Sequence, residues 1–411
     1  MSDARDADSS KPATPRDAHD GPIVRVESKI GAIPADNWDA CAVPALDARN
    51  PFLSHTFLAA LEEAGCVSAE TGWLPQHMVL AESPADDAPI LGVMPCYLKS
   101  HSQGEYIFDH GWADAFERAG GRYYPKLLSA VPFTPVTGRR FLVGDEDPQV
   151  RETREDMLLA GAVQLCEKHG VSSFHANFVT EDEWQRMGAA GLLRRVDQQF
   201  HWQDDGYGDF DGFLDALASR KRKAIRKERR QALENDLEVR WITGSDLREE
   251  HWDAFYNFYM DTGARKWGRP YLNRDFFSLL GERMAKDVLL MLTFRDDRAV
   301  AGALNIIGGD TLYGRYWGCN EHHPCLHFEL CYYQAIDYAL AHGLTTVEAG
   351  AQGEHKLARG YVPKPTYSLH HLPNASFRRA VEEYLEGERD YVAQTIEILG
   401  QHTPFRKDET T

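Results

Sequence analysis

The strongest constraint on how this chain folds is an order of elements that starts over half-way along. Residues 52–65 carry apolar side chains at helical spacing and stop at Gly65. Strand-like runs follow at 76–82, 90–98 and 105–109, then an amphipathic helix over 151–169, a strand at 173–179, a short helix at 181–190 and a strand at 193–202. Past 205 the order begins again. Residues 207–236 read as a helix, 237–244 as a strand, and 247–263 and 273–285 as two helices. Strands are predicted at 288–295, 299–308 and 311–317, a helix over 328–342 closed by Gly343, a strand at 346–349, and a last helix that Asn374 caps. The halves share no sequence identity, so the repeat lies in element order alone. The reading is an α/β chain of tandem units: a disordered tail over 1–22, a first unit over 23–203, a second over 204–400 with a basic helix at 219–232, and a flexible tail over 401–411.

Charge narrows the function. With 45 Lys and Arg against 63 Asp and Glu, the formal charge is −18, a field that repels a polyanion on average and weighs against a general nucleic-acid binder. No apolar run approaches the ~20 residues of a membrane span, and the first residues show no signal-peptide pattern. Seven cysteines, odd in number and widely spread, argue against a disulfide framework. A soluble, cytoplasmic protein is expected.

Four segments can carry chemistry. The run RKRKAIRKERR over 220–230 holds eight basic side chains in an acidic chain. On a helix, Arg222, Lys223, Arg226 and Arg230 repel one another unless phosphates or acidic side chains compensate them. It is either a docking site for a phosphorylated ligand or a solvated face paired with the protein's own acids. Residues 319–331 gather Cys319, His322, His323, Cys325, His327 and Cys331, but at no recognised zinc spacing, and no metal is expected. Residues 348–361, EAGAQGEHKLARGY, follow a strand, so their polar groups emerge at a strand's carboxyl end, where open α/β sheets bind ligands. There Glu348 or Glu354 can act as base, with Lys356 and Arg359 holding an anion. The competing account is a polar loop closed by its own ion pairs. In the first half, His101–Trp112 and Tyr123–Arg139 set aromatic rings beside ionisable groups, as in a cleft for a flat or amphipathic substrate or in a buried aromatic cluster. The chain has no P-loop, no GxSxG, no HExxH and no GxGxxG after a strand.

The segments HSQGEYIFDHGWADAFERAGGRYYPKLLSAVPFTPVTGRR and EAGAQGEHKLARGYVPKPTYSLHHL resemble a bacterial family of FemAB-like N-acyltransferases over roughly residues 25–400. That family is similar to tandem GNAT folds, so the resemblance implies two GNAT-like units, each a mixed sheet flanked by helices. It implies acyl or aminoacyl transfer to a small-molecule or peptide amine, by direct attack in a ternary complex. The donor would be aminoacyl-tRNA or acyl-CoA, with no tightly bound cofactor. The turn GCNEHHPCLHFE lacks the glycines with which GNAT enzymes hold coenzyme A and adds Glu321 and Glu329. The basic helix is then the better phosphate site. The catalytic candidates are Glu348, Glu354, His355, Tyr361 and His110. The substrate-binding candidates are Tyr106, Asp109, Trp112, Lys126, Thr134, Arg139, Arg315, Gln352, Lys356 and Arg359. A second reading is a binding protein that keeps a transferase pocket for a peptide or nucleotide-linked ligand without turnover.

Overall fold

The computed structural model describes residues 21–42, 49–144, 147–266, 270–350 and 353–406. Its first half runs β1 (Ile23–Glu27), α1 (Ala35–Ala42), α2 (His55–Glu63), β2 (Trp73–Pro75), β3 (His77–Ala81), β4 (Ile90–Met94), β5 (Tyr97–Lys99), α3 (His110–Arg118), β6 (Lys126–Ser129), α4 (Pro148–His169), β7 (Phe174–Val179), α5 (Glu181–Ala189) and β8 (Leu193–Gln203). The second runs α6 (Phe210–Ala216), α7 (Ser219–Ala232), β9 (Glu238–Thr243), α8 (Glu249–Lys266), α9 (Arg274–Met284), β10 (Val288–Arg295), β11 (Arg298–Ile307) and β12 (Thr311–Cys319). There α10 (Leu326–Phe328) continues through a π-helical turn into α11 (Gln334–His342), followed by β13 (Thr346–Glu348), β14 (Val362–His371) and α12 (Ala375–Gln401).

One 11-stranded sheet, in the order β2-β5-β6-β7-β14-β8-β13-β12-β11-β10-β9, spans both halves, and β1-β3-β4 forms a smaller one. Two contacts in the large sheet are parallel, β6 with β7 and β12 with β13, and each pair is joined through helix. These are the repeated units. Their boundary in the chain is not their boundary in space: β14, from the second half, lies between β7 and β8, while β8, from the first, pairs with β13. β14 contains Pro363 and Pro365, which cannot donate to a ladder. Both fall in the stretch that pairs with β8 alone, since β7 joins only from Tyr367. They have the same parity, so both N-less positions fall on one side of the strand.

The interior follows strand alternation. In β10, Val288, Leu290 and Leu292 join the core beneath α8 and α9, while Leu289 and Met291 join the one beneath α6 and α11. A third core fills the space between α4, α5 and the first unit's strands.

The expected strand at 105–109 is irregular backbone, with Tyr106 at φ 59°. The expected strand at 90–98 breaks at Pro95, sending β4 to the small sheet and β5 to the large one. The expected helix over 207–236 is two, because Leu217 is extended and bridges to Phe405. The same contact corrects the expected flexible tail from 401: α12 runs to Gln401, and Pro404 and Arg406 hydrogen-bond to Ala218 and Ala216. Residues 1–20 and 407–411 of the expected tails lie outside the described residues. Among the described residues, no helix is long and apolar enough to cross a membrane.

Candidate active site

The exchange of strands places a polar strip on one face of the central sheet. Residues directly opposite in a ladder share a face, so the registers align His175 with His370, Asn177 with Ser368 and Lys364 with Gln199, and His201 with both Val362 and Glu348. Apart from Lys364 and His201, these polar side chains are buried. The two irregular segments that the sequence singled out in the first half form the cover. Gln199 Nε2 donates to Pro135 O at 2.9 Å, Tyr316 Oη to Phe133 O at 2.7 Å and Arg195 Nη1 to Phe108 O at 2.9 Å.

One end of the strip is the second unit's parallel pair. β12 and β13 are paired only from Thr311 to Tyr313 against Thr346 to Glu348; β12 then runs on to Cys319 without β13 beside it. The sheet opens at this point, and Glu348 ends β13 there. Its carboxylate is buried and accepts from Arg315 Nη2 at 3.2 Å. Arg315 lies over the rings of Phe52 and Tyr313, with its side chain 3% exposed. Lys356 is buried and donates to Gly350 O at 2.9 Å. Burial brings its ammonium down to about 7, and the Arg315 charge pushes the same way. Burial also lowers His201. Arg359 lies over Phe328 and pairs with Glu228 at 2.9 Å, while His355 meets the Tyr332 hydroxyl at 2.8 Å.

The other end is a buried charge network. Lys126 Nζ donates to Ser102 and Glu105 at 2.8 Å and to Asp109, which also accepts from the Tyr123 hydroxyl at 2.6 Å. Burial raises the Glu105 carboxyl to about 7 against the pull of Lys126. Burial also opposes the Asp109 charge, yet the Lys126 ammonium wins and holds that carboxyl well below its usual range. Lys99, over the ring of Trp73, is lowered by burial to about 7. His175 is lowered to about 3 by burial and then by Lys126, and its Nδ1 lies 2.6 Å from that of His370.

The sequence candidates thus divide. Glu348 pairs with Arg315 at the sheet's opening and Lys356 lies near enough to feel the Arg315 charge, Thr134 and Tyr106 belong to the segments above it, and Asp109, Lys126 and Trp112 gather in the network. Tyr361 is a core residue whose hydroxyl contacts Tyr332 O at 3.4 Å. Glu354 and His110 are exposed. Arg139 is 3.7 Å from Glu155 and donates to Val143 O at 2.6 Å, which fastens a loop to α4. Gln352 lies outside the described residues. On α7, Arg222 pairs with Asp215 and Arg226 with Asp211 at 3.1 Å, whereas Arg229 turns inward to Glu329 at 2.9 Å and Asp337 at 2.5 Å. Lys223, Lys227 and Arg230 remain exposed, with no ion pair among the described residues. In 319–331, His323 meets Glu321 at 3.1 Å and His327 packs on Trp317; no described group of three His, Cys, Asp or Glu is placed to hold a metal.

A family profile described as FemAB-like, peptidoglycan biosynthesis/recognition, matches residues 29–407. The chain belongs to the FemAB-like family. Its fold is that of the crystal structure of FemX, at 14% identity and TM-score 0.53 over 85% of this chain and 98% of that one. A tandem GNAT protein from the clavulanic acid biosynthesis pathway is similar at 11% identity and TM-score 0.44, covering 85% of this chain and 98% of that one. The C-terminal domain of a putative lysylphosphatidylglycerol synthetase from Agrobacterium fabrum is similar at 8% identity and TM-score 0.49, over 85% and 96%. No curated protein matches.

Sequence reasoning missed His175, His370, Gln199, His201 and Glu228. The signal in β7 was polar alternation: His175 and Asn177 stand two apart between apolar residues, which puts them on a common face. The strand that aligns them, β14, was not foreseen.

Proposed function

We propose that this FemAB-like protein transfers an acyl or aminoacyl group to an amine, and that the reaction takes place where β12 and β13 part. The observation that carries this reading is the buried trio of Glu348, Arg315 and Lys356 at that opening. The amine nitrogen attacks the donor's carbonyl carbon and gives its proton to the Glu348 carboxylate. As the intermediate collapses, the ester or thioester bond breaks and the leaving group takes a proton from Lys356, whose burial suits it to proton transfer near neutrality. Attack in a ternary complex needs no enzyme nucleophile; alignment of the reactants supplies much of the acceleration.

The donor favoured is aminoacyl-tRNA. Lys223, Lys227 and Arg230 offer an exposed cationic face, and Glu228 on the same helix grips Arg359 beside Lys356, tying the phosphate surface to the reacting end. The acceptor is a small-molecule or peptide amine of the kind found in peptidoglycan precursors, and seven free cysteines suit a reducing cytoplasm. The test is direct: purified protein is given charged tRNA or coenzyme A thioesters with a panel of amines, and amide formation is followed by mass spectrometry. Charged tRNA should serve and a Glu348→Gln variant should lose transfer. Turnover with acyl-CoA alone reassigns the donor, and no turnover with either rejects the enzyme reading.

A further inference from the structure

The proposed reaction leaves one proton without an acceptor. An amine of the α-amino or lysine type is protonated at neutral pH, so it reaches the site as an ammonium with three hydrogens on nitrogen. The amide product keeps one. Glu348 takes the proton released on attack, and another base has to take the proton that first masks the lone pair. That base must stand beside Glu348, be neutral at pH 7 and present a bare lone pair.

His201 meets all three conditions. It lies opposite Glu348 in the ladder of β8 with β13, so the two side chains leave the sheet on the same face. Its tautomer is fixed by a neighbour. Gln199 Nε2 donates to Pro135 O at 2.9 Å, which leaves Gln199 Oε1 to face His201 Nε2 at 3.2 Å. An amide oxygen only accepts, so His201 Nε2 carries the hydrogen and Nδ1 carries the lone pair. Nδ1 has no hydrogen-bond partner among the described residues, and it is not one of the unpaired polar atoms sealed from solvent. The charged groups around the ring are Glu348 on β13, Arg315 on β12, Lys364 on β14 and Lys356 in the segment after β13. Burial lowers the ring's pKa, Glu348 opposes this and the three cations add to it, so the imidazole is neutral at pH 7.

We infer that His201 Nδ1 is the base that takes the first proton from the acceptor's ammonium and so frees the amine that attacks. The inference rests on the acyl-transfer reading and adds to it the residue that prepares the nucleophile. The Glu348 carboxylate draws the ammonium to the opening of the sheet. One N–H bond breaks toward Nδ1, and its electron pair stays on the amine nitrogen. That pair forms the bond to the carbonyl carbon, a second proton passes to Glu348, and Lys356 gives one to the leaving group. The proton on Glu348 restores Lys356, and the His201 imidazolium gives the last one to solvent. One proton is released for each amide made. The cations around His201 keep its charged form short-lived, which returns the base to its neutral state for the next acceptor.

Long-range proton–nitrogen NMR of the full chain, labelled at histidine nitrogens, tests the lone pair without turnover. Near neutral pH the His201 signals, identified by their loss in His201→Gln, should show Nε2 protonated and Nδ1 bare. A protonated Nδ1 overturns the inference. Turnover tests the role. His201→Gln keeps a donor toward Gln199 but has no base, and melting temperatures confirm that the variants fold. With an α-amino acceptor, its kcat/KM should lie about 100-fold below the wild type at pH 7. The gap should close to about tenfold or less by a pH of about 9.5, where the acceptor arrives as free amine. Each value is read against the wild type at the same pH, so the titration of Lys356 cancels. Gln199→Glu sets a carboxylate against Nε2–H and should move the acid limb of the pH profile up by about one unit. A His201→Gln defect of equal size at both pH values, no defect at all, or an acid limb that Gln199→Glu leaves in place overturns the inference while the proposed function stands. A wild type that forms no amide with either donor rejects the proposed function itself, and the role of His201 with it.

Discussion

Lys356 has a titration that can be followed on its own. Burial lowers its pKa from the ordinary lysine value to about 7, so between pH 7 and about 10 the unfolded chain binds a proton that the folded one does not. Stability from this residue therefore rises with pH across that window and is flat below about 7, where both states bind the proton. Arg315 and Cys331 are the charged and titratable groups that act on it. Lys356→Met removes the effect: the variant's melting temperature relative to the wild type should be highest near pH 7 and decline toward pH 9.5. A difference that stays constant across that range means that the lysine is not held in a dry site. Lys126 behaves in the opposite sense, because two carboxylates face it. Lys126→Met leaves Glu105 and Asp109 together without a counter-charge and should cost about 3–5 kcal/mol in chemical denaturation. Adding Asp109→Asn should recover part of that loss, which separates charge burial from lost packing.

At the scale of elements, α7 has two faces with different work. Ile225, Glu228, Arg229 and Ala232 pack inward, and Arg229 neutralises Glu329, whose side chain is 0% exposed. Lys223, Lys227 and Arg230 face water. Reversing those three charges to Glu should abolish binding of charged tRNA and flatten its salt dependence while leaving the melting temperature within a few degrees, whereas Arg229→Ala should lower stability first. Tight tRNA binding by the charge-reversed protein removes α7 from the donor site. The sequence made the helix and its charge plain but not this division, because inward and outward basic residues look the same until Glu329 and Asp337 are placed. Glu348 and Lys356 were legible for a simpler reason: a polar, glycine-punctuated stretch after a strand has to emerge at the sheet's end. Irregular segments were not legible. The 105–109 run has strand-like composition, yet Tyr106 at φ 59° turns it into the cover over the site, with Glu105 and Asp109 drawn to one lysine.

For the whole molecule, the exchange of β8 and β14 decides how the halves depend on each other. Element order along the chain reads as two units in tandem, and nothing local reveals that the last strand of each is laid into the sheet of the other. β14 was hidden by Pro363 and Pro365, which argue against a strand until the ladder shows both in the stretch that β7 does not reach. If a fragment ending at residue 203 folded alone, β7 and β8 would both lose β14 and leave long unpaired edges. The buried row of His175, Asn177 and Gln199 would lose the strand that pairs with it. The fragment 21–203 should therefore be unfolded or aggregated when expressed by itself and should gain ordered amide signals only when 204–406 is co-expressed. The intact chain should unfold in one transition by calorimetry, with coincident signals from tryptophans in both halves. A stable, monomeric 21–203 fragment with dispersed amide resonances, or two resolved transitions, would mean that each unit keeps its own last strand in solution. That outcome would also dismantle the site, since Glu348 stands opposite His201 only through the pairing of β13 with the exchanged β8.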